Sequence, residues 1–240
     1  MDNSSIVKFF KEFALYFLAA AIGSIIYYLS EIILKNKAYS IIIGLFIALI
    51  TLFILFFISF KKKQRLIGIF EYFRNFDSAP STYKLINNAH SEIEFMGISA
   101  RTFLESEEVE EILKRKIRIG VKFKFLMLDP DSKFLEIKAK DEGDDPEAWK
   151  HDINGSIKRL ARISQELGNN NIEIRLYDAL PVWRFIYIDH KIGYFTYYPH
   201  GHRGKYSPVF AAENRDGSIY EPLHSHFNYR WDELSKNAVI

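Results

Sequence analysis

Residues 181–198, PVWRFIYIDHKIGYFTYY, decide how the rest of this chain is read. Two runs of aromatic and β-branched residues flank Asp189-His190-Lys191, the composition of a hairpin with strands at 185–189 and 193–198. Outward from it, strand-like and helix-like stretches alternate. Strands are expected at 93–98, 121–128, 172–177 and 207–211, and helices at 82–89, 105–118, 146–167 and 220–236. Asp129-Pro130-Asp131-Ser132 opens a further helix. The 105–118 helix begins with Glu105, Glu107 and Glu108 and ends with Lys116 and Arg118, the order that complements a helix dipole. Ile153, Ile157, Leu160 and Ile163 mark one face of the long helix. This alternation predicts an α/β domain with a largely parallel sheet and an antiparallel hairpin, a mixed sheet flanked by helices.

The N-terminal quarter has a different chemistry. Two uncharged apolar runs, 13–30 and 38–60, are each long enough to cross a bilayer, because about 20 apolar residues span its hydrocarbon core. The predicted organisation is a cytoplasmic segment at 1–12, a transmembrane helix at 13–34, an external turn at 35–38 and a second transmembrane helix at 39–60. A basic juxtamembrane linker or helix at 61–80 follows, and then a cytosolic domain at 81–240. Lys61, Lys62, Lys63 and Arg65 stop the second span and place both termini on the cytoplasmic side. Lys35 and Lys37 in the turn oppose that assignment slightly. Glu31, at the outer end of the first span, sits where it can reach headgroups.

Composition narrows the function classes. With 32 Lys and Arg against 30 Asp and Glu, the chain has no bulk positive field to announce nucleic acid. It has no cysteine, which excludes disulfides, thiolate zinc sites and cysteine nucleophiles.

Several motifs carry a resemblance. Gly97-Ile98-Ser99 ends the first strand and Leu126-Met127-Leu128-Asp129-Pro130 closes the second. Ile174-Arg175-Leu176-Tyr177-Asp178 forms the third, and Ser207-Pro208 comes later. Together with the hairpin these resemble the phospholipase D-like superfamily over roughly 85–232. The resemblance implies a signature His-x-Lys-x-x-x-x-Asp, in which histidine attacks phosphorus, lysine holds phosphoryl oxygens and aspartate supports the site. Here that signature falls on Val182-x-Arg184-x-x-x-x-Asp189, and the family's later Gly-Ser pair falls on Thr196 and Tyr197. Valine has no lone pair, so the family's covalent chemistry is not expected and no catalytic residue is assigned. A second signature is not visible. The basic and acidic positions survive as Arg184 and Asp189, which serve either as anion ligands or as a structural ion pair.

The segment Pro199-His200-Gly201-His202-Arg203-Gly204-Lys205 reads either as a solvated loop or as an anion-binding loop using His200, His202, Arg203 and Lys205. His224-x-His226 would share a face only on a strand, and a helix is expected there, so neither metal nor cofactor is expected. The acidic run 141–145 reads as a solvated loop.

The whole organisation resembles small membrane effectors of bacterial anti-phage defence. The resemblance implies a bacterial inner-membrane protein whose inactive domain senses a signal and controls membrane disruption by the hairpin. The partners expected are the lipid bilayer, further copies of the chain when active, and an inhibitory protein, nucleoprotein complex or nucleotide on the cytosolic domain. Two other readings stand beside it. One is a membrane-anchored phosphodiesterase acting on lipid or nucleic acid, with His190, His200 or His202 as nucleophile. The other is a passive membrane scaffold.

Overall fold

The computed structural model describes residues 21, 23–25, 27–29, 32, 37–168 and 170–238. It divides into two compact units, Met1–Arg65 and Leu66–Ile240.

In the first unit the described residues from 21 to 32 are helical, and helix α1 (Lys37–Ile67) contains the second apolar run. Gly44 faces Tyr27 so closely that a Cβ on it would touch the Tyr27 Cβ at 3.5 Å, which brings the two helical stretches side by side. Leu45, Phe46, Leu49, Phe53 and Phe56 are all exposed and share one face of α1 at about 100° per residue, a broad apolar stripe. Among the described residues no helix is long and apolar enough to cross a membrane. The stretch whose side chains are described without a break, 42–57, is itself shorter than the about 20 residues a span requires. The segment 1–12, most of 13–34 with Glu31, and positions 35 and 36 of the turn lie outside the described residues, while Lys37 and Ala38, expected in that turn, open α1. So do the side chains of Lys61, Lys62, Lys63 and Arg65.

The second unit is built on an eight-stranded sheet ordered β1-β7-β6-β5-β2-β3-β4-β8. Its parallel centre is β2 (Glu92–Gly97), β3 (Lys122–Leu128) and β4 (Ile172–Tyr177). One face of these strands is apolar, with Ile93, Phe95, Phe123, Phe125, Met127, Ile172 and Ile174, while the other carries Glu92, Glu94, Lys122, Lys124, Glu173 and Arg175 before turning apolar towards its carboxyl end. The hairpin β5 (Trp183–Ile188) and β6 (Ile192–Tyr197) joins antiparallel to β2, with Phe95 opposite Ile186 and Arg184 opposite Thr196. β7 (Val209–Glu213) continues the antiparallel half.

One face of the sheet is covered by α2 (Thr82–Asn88), α3 (Glu107–Arg118) and α5 (Pro146–Leu167), with α4 (Lys133–Asp141) packed beside α5. Local chemistry fixes their ends. Ser106 accepts the Val109 N–H ahead of three glutamates, and Asp145 caps α5 with Pro146 in its first turn. Gly168, at φ +60°, ends α5 in the left-handed conformation that glycine adopts without strain. Phe95, Phe103 and Phe125 meet beneath this layer at 5.2–5.8 Å between ring centroids. Such aromatic pairs are worth about 0.5–1.5 kcal/mol each beyond area burial. The opposite face is covered by α6 (Tyr220–Glu233), whose Tyr220, Phe227 and Trp231 are buried.

Four expectations differ from the structure. The sheet is not largely parallel: two of its pairings are parallel and five antiparallel, because the hairpin, β7 and both edge strands all join antiparallel. The stretch after the basic run is not a helical linker. α1 ends at Ile67, Gly68 turns the chain at φ +80°, and Ile69–Phe73 becomes β1, an edge strand antiparallel to β7. A short 3-10 helix, Phe76–Ser78, follows. The helix expected to reach 236 stops at Glu233, and β8 (Ser235–Asn237) closes the other edge against β4. The strand expected at 207–211 is shifted by two residues, because its partners on β1 and β6 set the register.

Candidate functional site

A cavity of about 160 Å³ lies at the carboxyl end of β2, the end of a parallel sheet at which α/β domains place ligand sites. Ile98 and Ser99, just past β2, form one wall, and Arg184 and Thr196, paired across the hairpin, form another. Phe76, Trp149, Tyr198 and Lys205 complete most of the rest.

Arg184 dominates the chemistry. Its Nε and Nη2 are sealed from solvent and have no hydrogen-bond partner. Its guanidinium lies 4.1 Å from the centre of the Phe76 ring and 5.6 Å from that of Phe95. Among the described residues no carboxylate comes within 4 Å of it. Burial lowers its pKa from the ordinary value, yet an arginine stays protonated inside a protein. A buried donor without a partner costs about 1–3 kcal/mol, and more when charged. The site therefore holds a cation that the fold itself leaves unsatisfied.

The polar groups around it are neutral or already engaged. Tyr198 Oη accepts the Ile98 N–H at 3.3 Å, and burial raises its pKa despite the Arg184 charge. Thr196 donates to the Pro208 carbonyl at 2.7 Å. Asp152 on the rim is paired with Arg101 at 2.9 Å. Burial raises the Glu142 carboxyl, an effect that the neighbouring Lys138, at 3.2 Å, only partly offsets.

Of the six residues expected to bind a ligand, the cavity contains Arg184 and Lys205. Asp189 is at the far end of β5, five residues or roughly 16 Å along the strand. It makes no pair with Arg184. Its carboxylate accepts the N–H groups of His90, Ser91 and Glu92 at 2.7–3.0 Å and the Ser91 hydroxyl at 2.9 Å. Burial alone would raise its pKa; these donors outweigh burial and hold it at about 2. Asp189 and His190 both take φ +53° in a tight turn closed by the Lys191 N–H on the Ile188 carbonyl at 2.9 Å. Asp189 thus pins the hairpin turn to the start of β2.

The basic loop is tied to the domain by ion pairs, and of its basic residues only Lys205 lines the cavity. Lys138 Nζ binds the Pro199 carbonyl at 2.5 Å and Asp141 at 2.9 Å. His200 Nδ1 lies 3.3 Å from Asp141, and Arg203 pairs with Asp144. The acidic run expected to be solvated is the partner of this loop. His202 is exposed and lines no part of the cavity. Gly204 has a steric role: a Cβ there would come within 2.7 Å of the Tyr198 ring, so any larger residue must push that ring aside. Tyr198, Phe76 and Trp149 were not among the expected residues. Continuing the Arg184–Thr196 register by one alternation would have pointed to Tyr198.

No protein-family model matches the chain, and no curated protein matches it. Among solved structures it is similar to Nuc, a phospholipase D family member from Salmonella typhimurium, at 14% identity, over 66% of this chain and 89% of that one, with a TM-score of 0.41. It is similar to phosphatidylserine synthase from Haemophilus influenzae Rd KW20 at 10% identity, over 65% of this chain and 36% of that one, with a TM-score of 0.45. NucT from Helicobacter pylori is similar at 12% identity, over 66% and 89% of the two chains, with a TM-score of 0.40.

Proposed function

We propose that this chain is a membrane-anchored binding protein whose α/β domain takes up a phosphate-bearing anion at Arg184 and performs no phosphodiester chemistry on it. One observation carries the reading: a part-buried guanidinium whose Nε and Nη2 have no hydrogen-bond partner lines a cavity at the carboxyl end of the parallel strands. A phosphate oxygen pair would satisfy Nε and Nη2 through two charge-assisted bonds, and Lys205 would add a second cation. Val182 stands where the resemblance puts the nucleophile, and no histidine lines the cavity. This favours binding over the phosphodiesterase reading.

The proposal extends to the apolar hairpin. In this reading it sits in a bacterial inner membrane with both termini cytoplasmic, and ligand occupancy of the domain governs assembly of the helices and disruption of the bilayer. A nucleotide is the form of phosphate signal that suits an anti-phage effector. The exposed apolar side chains of α1 support the membrane placement.

The test uses the full chain in lipid nanodiscs, titrated with inorganic phosphate, pyrophosphate and nucleotides while its thermal transition is followed. A ligand at 100 times its Kd stabilises by about 2.7 kcal/mol. Stabilisation by one of these anions in the wild type, and its absence in Arg184→Met, is the expected result. No shift with any of them at millimolar concentration overturns the binding reading. Dye-loaded vesicles carrying the chain should leak when the stabilising anion is added, and intact vesicles would remove the effector part alone.

A further inference from the structure

At the opposite end of β2, three residues far apart in sequence converge on the α6 side of the sheet. Glu94 comes from β2, His190 from the β5–β6 turn and His224 from α6, and one ligand atom from each lies within 4.8 Å of the others. Glu94 Oε2 is 2.6 Å from His224 Nε2 and 3.7 Å from His190 Nδ1. We propose that Glu94 Oε2, His190 Nδ1 and His224 Nε2 bind a first-row divalent transition-metal ion, with Zn²⁺ the best match and water as the fourth ligand.

The groups behind these atoms hold each donor in the state a metal needs. His190 Nε2 is 2.7 Å from Glu92 Oε2. An N–H there donating to Glu92 leaves the lone pair on Nδ1, the carboxylate–histidine–metal arrangement that fixes a ligating tautomer. Lys124 Nζ sits 3.1 Å from Glu94 Oε1 and 3.1 Å from Glu92 Oε1, so it engages the far carboxylate oxygen and leaves Glu94 Oε2 to the histidines. The His224 ring is packed against Tyr187, Tyr220 and Phe227, at 4.7, 5.2 and 6.2 Å between centroids. Asn228 lies 3.4 Å from His224 Nδ1, and its amide, turned oxygen-first, accepts the Nδ1–H that a metal on Nε2 requires.

The donor set, two imidazoles and one carboxylate, is characteristic of zinc rather than of calcium or magnesium, which take oxygen. Zn–N and Zn–O bonds of about 2.0–2.2 Å ask the ligand atoms to stand about 3–3.5 Å apart. The Glu94–His224 contact opens slightly to reach this, and His190 closes slightly. Glu94 is buried, His224 partly so and His190 half-exposed, which gives an ion a way in from the turn side. The metal would clamp the hairpin turn and α6 to the start of β2, away from the Arg184 cavity.

The full chain in nanodiscs, stripped with chelator, is titrated with Co²⁺ and Zn²⁺. One equivalent of Co²⁺ with the strong visible absorption of a tetrahedral site, displaced by Zn²⁺, is expected. His190→Asn keeps a residue that tolerates a positive φ while removing the imidazole, and should weaken binding at least about tenfold, as should Glu92→Gln acting through the His190 tautomer. His190 lies at the half-exposed turn and Glu92 opens β2, and both changes should leave the far-UV circular dichroism unchanged. His200→Ala combined with His202→Ala should bind as the wild type does. Absence of stoichiometric binding, or binding that survives His190→Asn and disappears with the loop histidines, overturns the assignment.

Discussion

The two ends of the β5–β6 hairpin solve opposite problems. At the turn, Asp189 satisfies the free N–H groups at the start of β2 with a single carboxylate, and a depressed pKa marks how well that charge is used. At the other end, Arg184 is part-buried, with two nitrogens sealed from solvent and unbonded. A six-residue strand thus carries a charge that builds the fold and a charge that the fold does not use. A buried charge retained without an internal partner is the kind of feature an external ligand explains.

The comparison breaks most visibly at Asp189. Asp189→Ala should cost about 2 kcal/mol in urea unfolding of the full chain, since several charge-assisted bonds to the backbone leading into β2 disappear together. A loss under 1 kcal/mol would show that the turn is held by other means. The other end should respond with the opposite sign. Arg184→Met replaces an unpaired cation by an apolar chain of similar volume, and should raise stability by about 1–2 kcal/mol while lowering affinity for the phosphate anion about 100-fold. Destabilisation would mean that the guanidinium already has a partner.

Glu110 extends the paired side of the comparison to the helical layer. Burial would raise its carboxyl, but bonds from Lys114 at 2.9 Å and from Arg162 and Arg159 at 2.8 Å bring it from 4.5 down to about 2. Because the folded pKa is the lower one, the stability it adds is complete above about pH 4.5 and drains away as pH falls towards 2. Glu110→Gln should lose about 1 kcal/mol at neutral pH and show a shallower decline in acid melts. The smallest effect is expected at Gly204. Gly204→Ala pushes the Tyr198 ring and should weaken the anion a few-fold without moving the unfolding midpoint by more than a degree or two.

Much of this fold was legible in the residues. The long helix, capped by Asp145 and ended by Gly168, falls at the expected 146–167, because caps and period agree there. The central strands were legible because apolar runs of their length between turn residues have few alternatives. β1 was not, since the apolar positions of 66–76 cover a helix surface as readily as a strand, and only pairing with β7 decides between them. β8 carries no strand signal at all in Ser-Lys-Asn and exists because β4 offers it an edge. At the site, residue type points to Arg184, whereas the five-residue offset sends Asp189 to the other end of the strand. The pairing of Arg203 and His200 with the 141–144 carboxylates stayed hidden because each segment alone looks like solvated loop. Glu94, His190 and His224 are invisible as a group, being spread over 130 residues of chain.

The edge strand β1 sets a timetable for synthesis. It leaves the ribosome directly behind α1, yet its partner β7 is translated roughly 140 residues later, a wait of about 7–30 s at ordinary elongation rates. During that interval Ile69-Phe70-Glu71-Tyr72-Phe73 is an open strand edge with nothing to pair against. That seam of the sheet therefore closes only after most of the domain has been made.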